Sequence, residues 1–518
     1  MNGSDAGAQA RKLVGPSPPE RREARIAVLL CVLCAVRVFV FSAAFPFFNN
    51  VDEQSHFDLV CKYSRGHVPA GLDHRGEDAS RLIALYWSPE YLRRPEDLPG
   101  GVIPPPRWPV PVGARSVYEQ RVAESTQRVN YESTQPPFYY VVAGGWYRIG
   151  EWIGVRGGHA LYWTRLLNVF VCAALTWLAY AFARTFFPDR SYLRIGVPLL
   201  VALYPQDVFY SVNNDVFLPL VNGAAFFCLL RIYRGERRSL AFHAGTGLLV
   251  AAAILVKFSS VAIVPVAAAL IALDVSSQRI AKEKKAALVR GAVLFLVAAV
   301  PVGAWCLRNE MLLGDITGSM SKARFLGWTL KPVAAMFDHP VFSLSGMAVF
   351  WQESLVRFWR GEFVWSLQVL ASAGWDRFYS VSSLAFLVVA LIASRTWRKQ
   401  PVQGPRSVFG PSLAFFLLSL AFLASISVMF DFGSCFYPSS AKPYMTSGRL
   451  ALGALIPFAA LYLCGLDALL PLRLPAPLRF TVLIVPVALM TLSEIYLSGV
   501  AFQSAYNWFH MIGRIPGA

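Results

Sequence analysis

The chain has 518 residues, of which 55% are hydrophobic and 15% charged, and its mean hydropathy is +0.46. That balance excludes a soluble fold and describes an all-α polytopic membrane protein. The formal charge of +17 does not point to nucleic acid, because the basic residues fall in short segments between apolar runs, among them Arg231 to Arg238, Lys282 to Lys285 and Arg395 to Lys399.

Residues 1–24 are rich in Gly, Ser, Pro and Arg and read as a disordered cytoplasmic tail. The run from Arg25 to Phe45 can cross about 30 Å of hydrocarbon; it is too long for a removable signal peptide and lacks a small-residue cleavage site. Arg21, Arg22 and Arg25 flank its start, so the positive-inside rule places the N-terminus in the cytoplasm. The run delivers Asp52, Glu53 and His56 to the far side, and ionisable groups at a membrane boundary mark a functional site.

Residues 46–137 form a first external loop, too long to be a plain connector. Within it, Phe57, Val60, Cys61 and Ser64 recur at i, i+3, i+4 and i+7, which predicts a short helix along the membrane surface over Asp52 to Ser64. Gly100 to Pro111 holds five prolines and is expected to be extended. The loop closes on Asn130 to Tyr140, with Glu132 and Gln135 ahead of Pro136-Pro137, which start an aromatic helix.

The stretches 138–153 and 161–183 pose a parity problem. The basic segments at 184–194 and 231–238 both belong in the cytoplasm, so an odd number of crossings must separate them from the first loop. The stretch 138–153 contains Gly144, Gly145, Arg148 and Glu151, and is read as an interfacial or re-entrant helix. Spans are then expected near 161–183, 193–211, 215–232, 240–256, 259–274 and 291–308. A second long external loop, 309–378, precedes spans near 379–394, 411–430, 448–466 and 480–497. With the first, these make about eleven crossings, with a transmembrane domain over 25–497 and a short tail at 498–518.

This topology puts Asn214 and Asp215, Lys257, and Arg449 at external helix ends, on the face that carries Asp52 and Glu53. Each has an ordinary reading: Asp215 as a helix N-cap, Lys257 as a snorkelling lysine, Arg449 as a headgroup anchor, His56 as a structural hydrogen-bonder. Those readings leave the shared face unexplained. Carboxylates beside cations at a membrane surface suit transfer of a group from a lipid-linked phosphate donor. Asp52 and Glu53 are the candidate catalytic residues, Asp52 as the base. Lys257 and Arg449 would hold the donor phosphate, and His56, Glu132, Gln135, Asn214 and Asp215 would line the pocket. Asp52, Glu53 and Asp215 could jointly hold Mg²⁺ or Mn²⁺, with Asp52 and Asp215 as the leading pair. The eight cysteines have no metal-ligand spacing, so no zinc site is expected; a Cys61–Cys435 disulfide is open on the external side, free thiols being the preferred reading.

One apolar span, a first-loop Asp-Glu pair, a surface helix and a Pro-Pro aromatic helix together resemble the GT-C class of integral-membrane glycosyltransferases. The likeness is greatest to bacterial relatives of the protein O-mannosyltransferases and the lipid A aminoarabinose transferases. Asn213-Asn214-Asp215-Val216-Phe217-Leu218-Pro219 resembles the acidic hairpin of that class, and Ile254-Leu255-Val256-Lys257-Phe258-Ser259 its lysine turn. The resemblance covers residues 25–275. It implies that Asp52 is catalytic, that the donor is a polyprenyl-phosphate-linked hexose or pentose, that the acceptor is an external glycan, lipid or protein, and that the site is the bacterial inner membrane. This chain carries Gln135 where the lipid A-modifying relatives place a lysine, and no large soluble domain is expected after the last span. The alternatives are a transporter or flippase of lipid-linked glycans, or their ligase or polymerase.

Overall fold

The computed structural model describes residues 18–106, 108, 114–397, 405–435, 437–471 and 474–512. Helix α1 (Pro18–Ala44) begins inside the segment expected as a tail and is followed by four shorter helices: α2 (Glu53–Ser64), α3 (Glu77–Tyr86), α4 (Arg115–Thr126) and α5 (Phe138–Trp152). Six helices then run in succession: α6 (Gly158–Phe186), α7 (Ser191–Ala202), α8 (Leu218–Tyr233), α9 (Leu240–Val256), α10 (Ile263–Ser277) and α11 (Ala281–Leu313). The second long loop holds α12 (Ser319–Phe325), α13 (Val333–Met336) and α14 (Leu344–Arg360). The chain closes with α15 (Ala373–Trp397), α16 (Pro405–Met429), α17 (Leu455–Leu469), α18 (Ala476–Gln503) and the short α19 (Trp508–Ile512), so helix continues into the segment expected as a C-terminal tail.

Among the described residues, nine helices are long and apolar enough to cross a membrane, and α7 and α9 are shorter apolar helices beside them. These coincide with the eleven expected spans, and the architecture is an all-α polytopic membrane fold. The expected span 193–211 departs in detail, since its helix stops at Ala202 and the chain passes Pro205 into a 3-10 turn over Asp207–Tyr210. That irregular backbone is buried inside the protein, where such structure is tolerated at membrane depth. The stretch 138–153 is the 15-residue α5, not one of the membrane-length helices. Its Tyr139, Tyr140 and Tyr147 are buried, while Val141, Ile149 and Trp152 face outward.

Charge sorts the two ends of the bundle. Arg194 bonds Glu23 near the start of α1, and Arg234 bonds the Thr185 carbonyl, so the basic segments after α6 and α8 share one end. At the other end, Arg165 near the start of α6 reaches Ser42, Phe45 and Glu53. Both long loops lie there, joined by a contact between Lys322 and Glu132.

The hydropathic window of the Gly448–Leu469 span is 94% buried, against 22% for those of α11 and α15, so α17 is the central helix and α11 and α15 face outward. The charges Arg37 and Glu494, inside α1 and α18, lie 3.5 Å apart and Glu494 also accepts from Tyr210. They form an internal ion pair, with Arg37 also donating through Nη2 to the Tyr204 carbonyl, and all eight cysteines, Cys61 and Cys435 included, are free thiols. Of the proline-rich stretch, residues 102–106 have no regular structure, and residues 107 and 109–111 lie outside the described residues.

Candidate active site

The path from α1 into the first loop turns sharply. Phe48 and Asp52 both adopt left-handed backbone, at φ 64° and 65°, a conformation that costs a non-glycine residue roughly 1–2 kcal/mol and collects at functional sites. The Asp52 carbonyl accepts the amides of Ser55 and His56 and so starts α2. Its carboxylate makes no cap and is left free to face the bundle.

Two distant elements meet that carboxylate. Tyr131 donates to Oδ1 at 2.7 Å, and Arg449 Nη2 to Oδ2 at 2.8 Å. Tyr131 is held because Asp73–His74 pairs with Val129–Asn130, and Asn130 donates to the Ser55 carbonyl and to Asp58 on α2. Arg449 sits in the 3-10 turn that leads into α17. Its neighbour Gly448 packs so closely on α14 that a Cβ would fall 2.1 Å from the Phe358 amide nitrogen, so only glycine lets the turn sit at this depth.

The arginine joins three acids. Besides Asp52, its Nε lies 3.5 Å from Asp215 and 3.8 Å from Glu362. Lys257, in the turn after α9, holds the other Asp215 oxygen at 2.6 Å and Asn214 Oδ1 at 3.2 Å. Asn214 extends its amide to Gln135 at 3.4 Å, and Gln135 donates to Glu132 at 2.6 Å. Lys322 of α12 contacts the second Glu132 oxygen and lies over the Tyr131 ring. Asp52, Glu132, Gln135, Asn214, Asp215, Lys257 and Arg449 therefore form one connected cluster, and a ring nitrogen of His56 lies within 4.8 Å of the Asp52 and Glu132 carboxylates beside it.

Glu53 does not join it. Its carboxylate makes a two-point pair with Arg165, at 2.8 and 2.7 Å, and accepts the amides of Phe48 and Val212. Both side chains are almost wholly buried. Four oxygen-directed bonds leave the carboxylate saturated, and they tie the first loop to α6 and to the segment before α8.

Burial would raise the Asp52 pKa, but Arg449, Lys322 and His56, together with the Tyr131 hydroxyl, hold it well below the usual carboxylate range. Glu132 is likewise kept low against burial, chiefly by Lys322. Burial drives His56 down to about 4, so its imidazole is neutral near pH 7. His56 Nδ1 bonds the Tyr140 hydroxyl at 2.7 Å, which leaves Nε2 for another partner.

The expected metal pair, Asp52 and Asp215, is spanned by the Arg449 guanidinium. The groups whose ligand atoms lie within 4.8 Å of one another are instead Asp52, His56 and Glu132. Two carboxylates and a neutral imidazole fit Mn²⁺ or Zn²⁺ better than Mg²⁺, which favours oxygen alone.

Lys322, Tyr131, Glu362 and Arg357 complete the surroundings and were not singled out in the sequence. Arg357 lies 3.5 Å from Glu362 and bonds Thr446 at 2.6 Å. Glu362 accepts from Ser447, next to Gly448-Arg449. Three of these four come from the second long loop, Lys322 on α12 and Arg357 on α14, with Glu362 just after α14, outside the membrane-length apolar runs from which the other site residues were read.

No curated protein matches the sequence. Among solved structures the chain is similar to the crystal structure of an oligosaccharyltransferase from Archaeoglobus fulgidus in complex with Zn and sulfate, with a TM-score of 0.43 and 13% identity. The alignment covers 91% of this chain and 53% of that one, so this chain spans about half the length of that protein. The family profile described as "Predicted membrane protein (DUF2142)" matches residues 35–436, and the chain belongs to that family.

Proposed function

We propose that this protein is a GT-C-like membrane glycosyltransferase that moves a sugar from a polyprenyl-phosphate donor to an acceptor at the end of the bundle carrying Asp52. The observation that supports it most is the placement of one carboxylate, Asp52, against a buried arginine whose Nη1 has no hydrogen-bond partner among the described residues and whose Nε has only the longer ion-pair contacts to Asp215 and Glu362. Unspent buried donors are costly in a folded protein and fit an anion that supplies the missing acceptors.

In this reading an acceptor hydroxyl attacks the anomeric carbon, a new glycosidic C–O bond forms and the C–O bond to the phosphate breaks. Asp52 takes the hydroxyl proton, and polyprenyl phosphate leaves with the bonding electrons. Arg449 and Lys257 meet the charge that grows on the departing phosphate. Asn214, Gln135 and Asp215 hold Lys257 and Glu132 in place, and Glu53 sets the turn that aims Asp52. A divalent cation on Asp52, His56 and Glu132 would add electrophilic stabilisation of the phosphate. The Asp52 end is assigned to the external face and the N-terminus to the cytoplasm, because the basic segments gather at the opposite end, and the bacterial inner membrane is the location that the resemblance to bacterial GT-C relatives implies.

The test is turnover by the purified protein in vesicles with radiolabelled polyprenyl-phosphate hexoses and pentoses. Release of polyprenyl phosphate that disappears in Asp52→Asn is the expected result. Binding of such a donor without cleavage by wild-type protein, together with its movement across the bilayer, would replace this reading with the flippase.

A further inference from the structure

The end of the bundle away from Asp52 carries a different charged feature. Helices α9 and α11 run in the same direction and cross tightly where a Cβ on Gly247 would fall 2.3 Å from the Leu294 carbonyl oxygen. On the basic side of that crossing lies an open cleft of about 450 Å³. Arg238, Lys282, Lys285 and Arg290 line it, with Leu240 and Val289 as apolar walls.

Among the described residues, no acid lines this cleft. Glu236, the nearest acid before Arg238, is already paired with Arg231 and Arg234. Asp274 is buried and accepts from Gln278. Glu283 is exposed on the same turn of α11 and outside the cleft wall. The Nε of Arg290 is buried without a hydrogen-bond partner among the described residues. Leu240 and Val289 are each about half exposed, 51% and 50%, beside those cations on helices of a membrane protein.

Four cations facing one concavity repel each other unless an anion sits between them. A free anion would satisfy the charges and leave the apolar walls in water. A phosphate joined to acyl chains satisfies both, which is how basic pockets between membrane helices take lipid head groups. We propose that this cleft binds the phosphate of an anionic phospholipid, with its acyl chains along Leu240 and Val289. It is separated from the Asp52 cluster by the length of α9, so it is not the donor site.

The test is native mass spectrometry of the full-length protein in detergent, titrated with dioleoyl phosphatidylglycerol, dioleoyl phosphatidylcholine or inorganic phosphate. Phosphatidylglycerol should bind at least tenfold more tightly than phosphatidylcholine. Arg290→Gln, and separately Lys282→Gln with Lys285→Gln, should weaken it at least fivefold. Removing Arg93, Arg115, Arg128 and Arg377 at the other end should leave it unchanged. These positions are exposed or partly exposed, and an unchanged melting temperature verifies that each variant is folded. Equal binding of both lipids, or wild-type affinity in both cleft variants, overturns the site. Full displacement of the lipid by millimolar inorganic phosphate overturns the lipid as its ligand.

Discussion

Arg449 Nη2 stands 2.8 Å from Asp52 Oδ2, across 397 residues of sequence, and the same guanidinium faces Asp215 and Glu362. In this arrangement the proposed base and the proposed phosphate binder neutralise each other. A phosphate that draws Arg449 away would restore basicity to Asp52, so donor binding and activation of the base are coupled through one side chain. Arg449→Gln should weaken binding of a polyprenyl-phosphate sugar by about 2–5 kcal/mol, and Lys257→Gln should do so through Asp215. Calorimetric titration of each variant measures this, and unchanged affinity in both would make them headgroup anchors.

Glu53 and Arg165 call for a different outcome. Removing one partner of a buried ion pair strands the other, at a cost of about 3–5 kcal/mol. Glu53→Gln should lower the melting temperature sharply and reduce activity in proportion to the folded fraction. A Glu53→Gln protein with wild-type stability and no turnover would move Glu53 into the chemistry.

The contrast between these two acids shows what the sequence could carry. The helix ends holding Asp52, Asp215, Lys257 and Arg449 follow from hydropathy and from the side on which basic segments fall, both local signals. Their convergence on one guanidinium is tertiary. The role of Glu53 was hidden because its partner sits inside an apolar run, although an arginine at position 165 in such a run was the cue to look for one. Lys322 and Glu362 lie in the second long loop, away from any membrane-length run, where only the fold brings them to the site. The shortening of α7 was signalled by Pro205, but hydropathy outvoted it in the span 193–211.

The placement of α5 decides the sidedness of everything after it. Cysteines introduced at positions 138 and 156 should both react with an impermeant reagent from the outer face, as should one at 100, while one at 284 should not. Reaction at 156 only from the cytoplasmic face would make α5 a crossing and break the agreement between basic segments and topology.

Asp52 carries the sharpest test. Its left-handed backbone and missing cap show that the turn is shaped to present the carboxylate, and Tyr131 and Arg449 fix both oxygens. Asn at this position tolerates left-handed backbone as well as Asp does, and Arg449 keeps Asp215 and Glu362 as partners, so Asp52→Asn should cost less stability than Glu53→Gln. Loss of a general base costs typically about 10² to 10⁴ in rate, and kcat should fall by that factor while the affinity for the donor holds or rises, since Arg449 is released from its partner. Glu132→Gln should act differently: it leaves the base in place and frees Lys322, so it should alter donor affinity or metal dependence more than the rate at saturation. A folded Asp52→Asn enzyme that turns over at the wild-type rate would remove this carboxylate from the chemistry and leave the cluster as a binding site alone.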